Sequence, residues 1–196
     1  MRSTLAMACA LLSLTGCSTE NSARKNSAPG KFIHVETPGN LAASAPVGCI
    51  DLAAVTNRET PADILPGAVS CIGVGDYSRA AKLYMIAGAY GRFDTLRVSD
   101  KTAHQGIIVL VMRNFSTLTD EQKKKFQAEY ERTVSDAGLA ENCPAVAKLG
   151  PPTYYPAYMI LHGMDAITGN LKQPLNNDFD PAAAWNDIYR SWLHCS

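Results

Sequence analysis

From Cys49 onward the apolar residues recur at three- and four-residue intervals, the spacing that gathers them on one side of an α-helix. In "ADILPGAVSCIGV", Ile64, Leu65, Val69 and Ile72 share a side. Pro61 stands in the first helical position after Thr60, and Pro66 is placed to kink or shorten the helix. A second helix is predicted from Tyr77 to about Tyr90, with Gly91 just past its end. A third is predicted from Ser99 or Asp100 to about Phe115, with Ala103, Ile107, Leu110 and Val111 on one face. Its central run, Gly106 to Met112, reads as a buried core helix. Thr119, with Gln122 three residues on, has the form of a capping box and opens a fourth helix. There Phe126, Tyr130, Val134 and Ala137 keep the period, while Glu121, Lys124, Lys125, Glu129 and Arg132 face water. Gly150-Pro151-Pro152 is a break, Tyr155 to Met164 a short apolar helix, and Leu171 to Asp178 a loop. Asp180 caps a last helix with Pro181 at its first position and Trp185, Ile188, Tyr189 and Trp192 as the inward stripe. Alternating strand patterns are nearly absent. The expected fold is mostly α, a compact domain of about six helices over residues 47–196.

Ahead of this domain the pattern changes. Ser18 to Pro46 is rich in Ser, Asn, Ala, Gly and Pro, so residues 17–46 read as a flexible tether, with Lys31 to Val35 its only strand-like part. The first sixteen residues carry Arg2 and then an apolar stretch from Leu5 to Leu14, too short to span a bilayer and suited to a secretory signal. Leu14-Thr15-Gly16-Cys17 resembles the lipobox of bacterial lipoproteins. That resemblance implies removal of residues 1–16 and lipidation of Cys17. With Ser18 and not Asp after the Cys, it implies an outer-membrane anchor facing the periplasm. Acyl chains buried at about 0.8 kcal/mol per methylene hold a soluble domain on a membrane without a transmembrane helix. Membrane contact is then through the N-terminal lipid only.

In that compartment cysteines pair. Cys9 belongs to the signal and Cys17 to the lipid, leaving Cys49, Cys71, Cys143 and Cys195, an even set that allows three pairings. Cys49–Cys71 and Cys143–Cys195 are favoured: the first pair is near in sequence, and the second would clamp the C-terminal helix. No Cys-x₂-Cys or Cys/His pair has zinc-ligand spacing, so no metal or other cofactor is expected.

Composition narrows the partner. Lys plus Arg and Asp plus Glu both total 18 in 196 residues, without a basic stripe, which argues against nucleic acid. Lys123 to Lys125 read as a solvated helix face.

Gly75, Asp76, Tyr77, Ala80, Tyr84 and Ala87 match in spacing the second half of a tetratricopeptide (TPR) repeat and its Sel1-like variant. The resemblance implies two antiparallel helices joined at Gly75-Asp76, with small residues where they touch. The first-half positions hold Ile64, Gly67 and Ala68, Arg92 replaces the closing Pro, and no second copy follows. It therefore implies one TPR-like hairpin and not a repeat array.

Catalytic sets are missing. His34, His104, His162 and His194 are scattered, and no His-Glu-x-x-His, Gly-x-Ser-x-Gly or phosphate loop occurs, so no catalytic residue and no enzyme activity are expected. Between the second and third predicted helices, Arg92, Asp94, Arg97 and Asp100 form a charged loop that presents an edge to a partner or closes on itself as an ion-pair clamp. Tyr154, Tyr155 and Tyr158, with that loop, are the candidate anchors for a protein partner. In size, address and disulfide use the chain looks like the small periplasmic lipoproteins that act as immunity proteins, binding a toxic effector from neighbouring bacteria. The alternative is an accessory lipoprotein of an envelope or secretion machine.

Overall fold

A helical hairpin lies at the centre of the described residues, 36–196 of a computed structural model. The signal segment, Cys17, His34 and the tether up to Val35 lie outside them. Helix α1 (Pro61–Gly73) starts from a reciprocal capping box between Thr60 and Asp63. Pro66 does not end it. Gly75 follows α1 at φ +81°, donating its N–H to Ile72 O at 3.0 Å, while the Asp76 N–H reaches Cys71 O at 2.9 Å. These two bonds form a Schellman closure, which places a left-handed residue at that position and so favours glycine. Asp76 then caps helix α2 (Tyr77–Arg97), accepting the Arg79 N–H at 3.0 Å. The short turn folds α2 back on α1, and the fully buried Ala80, Ala81 and Ala87 let other elements come close.

Helix α2 does not stop at Gly91 but runs six residues further, to Arg97. Gly91 serves packing instead: a Cβ there would stand 2.6 Å from the side chain of Ile107. The supposed charged loop is thus mostly the last turns of a buried helix. Asp100 caps a 3₁₀ turn (Lys101–Gln105), which leads into α3 (Gly106–Phe115). Helix α3 is not a buried core helix. Only Gly106 and Leu110 are buried, while Ile108 and Met112 are 63% and 58% exposed.

The expected fourth helix is two. Helix α4 (Asp120–Thr133) begins with the Thr119/Gln122 box, and Ser135 starts α5 (Asp136–Leu149) by accepting the Gly138 N–H. Gly138 lies where a Cβ would collide with the Arg132 and Thr133 carbonyls, so the chain turns within this space. Helices α6 (Ala157–Ile160) and α7 (Met164–Thr168) are single turns separated at Gly163. Helix α8 (Pro181–Asp187) is capped by Asp180 with Pro181 first, as its sequence predicts. The described residues hold eight α-helices, no strand and one isolated antiparallel bridge, from Val98 just after α2 to Leu175 in the loop before α8.

Aromatic rings fill the seams. Tyr84 of α2 meets Phe115, Phe126 and Tyr130 edge-on at 5.4, 5.3 and 5.1 Å between centroids. A second set joins Phe93 to Phe179 and Tyr90 to Trp185. The disulfides are Cys49–Cys71 and Cys143–Cys195, closing separations of 22 and 52 residues. In the chain-entropy model each contributes about 3–4 kcal/mol.

The folded body also begins earlier than residue 47. Leu41 is buried and donates its N–H to Tyr158 O. The Ser44 and Ala45 amides donate to the Asp63 carboxylate at 2.7 and 2.6 Å, and the Val47 amide bonds Asp63 O at 3.0 Å. Residues 36–46 belong to this body, since a buried carboxylate that accepts from the Ser44 amide and hydroxyl and the Ala45 amide can hold them down.

Candidate partner-binding surface

Three of the expected anchors are interior. Asp94 is fully buried and Arg97 is 8% exposed. Arg97, one turn on, donates through Nε to Asp94 Oδ1 at 2.8 Å, and its Nη2 makes an ionic contact with the same oxygen at 2.7 Å. Tyr154 and the buried Tyr158 donate their hydroxyls to Asp94 Oδ2 at 2.8 and 2.7 Å. The Arg97 guanidinium also lies over the Phe93 and Tyr154 rings, 5.1 and 4.9 Å from their centroids. Burial pushes the Asp94 carboxyl upward, opposed by Arg97 and the two hydroxyls. Burial, with Asp94 nearby, pushes both tyrosine hydroxyls well up, which keeps them as donors. Of the two roles open to the charged segment, Asp94 and Arg97 take the internal clamp. Asp94, Arg97 and Tyr158 are therefore withdrawn as partner contacts, because a buried ion pair presents nothing to a surface.

Asp100 is also spoken for. It accepts from Thr102 at 2.8 Å and from the Asp165 amide at 3.0 Å, tying the 3₁₀ turn to α7. Tyr154 is half-buried on the clamp, whereas Tyr155 and Arg92 are exposed. Arg92 makes no ion pair among the described residues.

Arg92 stands on the rim of an apolar groove of about 470 Å³. Helix α2 supplies the floor through Ala87 and Gly88, and α3 supplies one wall through Ile107, Ile108, Val111 and Met112. The other wall is Trp192, 42% exposed. The C-terminal stripe predicted Trp192 to face inward with Trp185 and Ile188. Residues Ile188–Trp192 instead wind as a π-turn, Leu193 N–H reaching Ile188 O five residues back at 2.8 Å. The wider turn rotates Trp192 away from the buried side. The sequence reading missed Ile108, Met112 and Trp192 as surface residues. The available signal was α3 itself: six successive apolar residues, Ile107 to Met112, leave no polar face, and a short helix that cannot bury every side must show one.

His104 Nε2 is 2.9 Å from Val98 O, and His162 Nδ1 is 2.9 Å from Asn40 Oδ1. No cluster of three metal-ligating side chains occurs among the described residues, and none of their helices is long and apolar enough to cross a membrane. No family model matches the chain, and neither a curated protein nor a solved structure does.

Proposed function

We propose that this chain is a lipid-anchored periplasmic protein that binds another protein, and that it acts as an immunity protein neutralising an antibacterial effector. The observation carrying this reading is the open α2–α3 groove, whose lining is mostly apolar and includes the exposed Ile108, Met112 and Trp192, on a body held by two disulfides. Contiguous exposed apolar surface with a polar rim is the mark of a protein-interaction site. The lipobox-like Leu14-Thr15-Gly16-Cys17 supports the address, and the disulfides suit an oxidising compartment.

The test is competition between sister cells. A strain lacking the chain, mixed with its parent, is expected to be killed, and a plasmid copy restores survival. Equal growth of the two strains in mixed culture would overturn the immunity role. A secretion or assembly defect without killing would assign the chain to an envelope machine instead.

A further inference from the structure

Resting on the reading of the groove as the binding surface, we infer that its occupant is an amphipathic helix of a partner protein, with a carboxylate beside its apolar stripe. The shape supports a helix. On α2 the lining residues Tyr84, Gly88, Arg92 and Thr95 fall on one stripe, with the Trp192 indole seated over Gly88. Polar lining is sparse: Tyr84, Thr95, His104 and Tyr130 beside Arg92, with Nε2 of His104 already at Val98 O. An extended segment laid there would leave its amides without partners, whereas a helix satisfies its own. Helix-in-groove docking needs only apolar anchors about one turn apart, and Ile108, Met112 and Trp192 are placed to meet them.

Charge selects the partner. Arg92 and His104 are the ionisable basic groups in the lining, and no carboxylate is among its residues. Arg92 has no counter-ion among the described residues. Just outside, Lys101 and Arg113 are exposed near the two ends of α3. The surface therefore favours a carboxylate and disfavours a cation. The same argument disfavours two copies pairing groove to groove, since α3 has no Asp or Glu to offer the partner copy's Arg92.

The test uses the full lipidated chain in phospholipid nanodiscs, with empty nanodiscs as the reference. The probe is a fluorescein-labelled helix of about 15 residues with a leucine stripe flanked by Glu. Its Glu→Lys counterpart and a scrambled peptide of equal composition complete the set. Anisotropy is expected to show the Glu helix bound about tenfold more tightly than the Lys helix, an effect set at the charged rim. Arg92→Glu should reverse that order, and Ile108→Glu or Met112→Glu should weaken both helices. Arg92, Ile108 and Met112 are exposed, so unchanged circular dichroism is expected of each variant. Binding no greater than to empty nanodiscs, equal affinity for the Glu and Lys helices, or indifference to these substitutions would each overturn the inference. Cross-linking of two copies that Ile108→Glu abolishes would do so too, naming a second copy as the occupant. Peptide selectivity without protection in mixed culture sinks only the immunity reading. Protection without selectivity sinks only the acidic helix.

Discussion

Trp192 rests on Gly88: a Cβ at that glycine would stand 3.1 Å from the indole. The indole thus occupies space that a side chain on α2 would otherwise fill, which is how a π-turn residue becomes a groove wall. Gly88→Leu is expected to lift the ring into water. In a Trp185→Phe background, the emission of Trp192 should move to the red. An unchanged spectrum would show that the ring is held by other contacts.

Gly91 makes the same point more sharply. Alanine is the better helix former by about 1 kcal/mol. At this position its methyl would enter the Ile107 side chain, and overpacking of this kind costs about 1–3 kcal/mol. Gly91→Ala is expected to lower the urea midpoint, and Gly91→Ala with Ile107→Ala to recover part of the loss. A midpoint raised by the single change would contradict the packing role.

The clamp at Asp94 predicts unequal costs. Tyr158→Phe removes one of two hydroxyl donors to Asp94 Oδ2, and bonds to a charged group contribute about 1.5–3 kcal/mol. Asp94→Ala leaves the Arg97 guanidinium buried without a counter-ion, and breaking such a pair costs about 3–5 kcal/mol. Equilibrium unfolding should rank Asp94→Ala well below Tyr158→Phe. Equal small effects would mean that the pair is bathed in solvent.

Asp63 sets an acid limb. Burial raises its pKa, but the Thr60 hydroxyl and the amides of Ala45, Thr60 and Ser44 outweigh burial, and the carboxyl sits below the ordinary carboxylate value of 3.8. The unfolded chain therefore takes up the proton first as pH falls. The stabilisation is fully present above about pH 4 and is lost as pH drops through the folded value. Asp63→Asn should be less stable at neutral pH and show a flatter stability profile below about pH 4. A profile as steep as the parent's would place the acid sensitivity elsewhere.

Caps and cysteines were the readable part of this chain. Thr60, Thr119 and Asp180 each start a helix where their local sequence says so, because capping is decided within three residues. The two disulfides are the favoured pairing, one by nearness in sequence and the other by clamping the C-terminal helix. What failed depended on neighbours distant in sequence. Gly91 has the residue type of a helix stop, yet α3 packs against it, and one-dimensional pattern does not record that approach. Asp94 and Arg97 have the residue types of a solvated loop, and only Tyr154 and Tyr158, some sixty positions on, make their burial tolerable. Charge alone marks Arg92 as a surface residue and it does line the groove, whereas apolar periodicity points Ile108, Met112 and Trp192 beside it toward the core.

Cys195 lies three residues beyond Trp192 and is bonded to Cys143 on α5. The bond that ties down the C-terminus therefore also tethers the indole wall of the groove. With the thiols reduced, only noncovalent packing keeps that wall in place. If the groove is the binding surface, recognition is expected to mature with oxidation, so the reduced chain should bind the groove's occupant more weakly than the oxidised one.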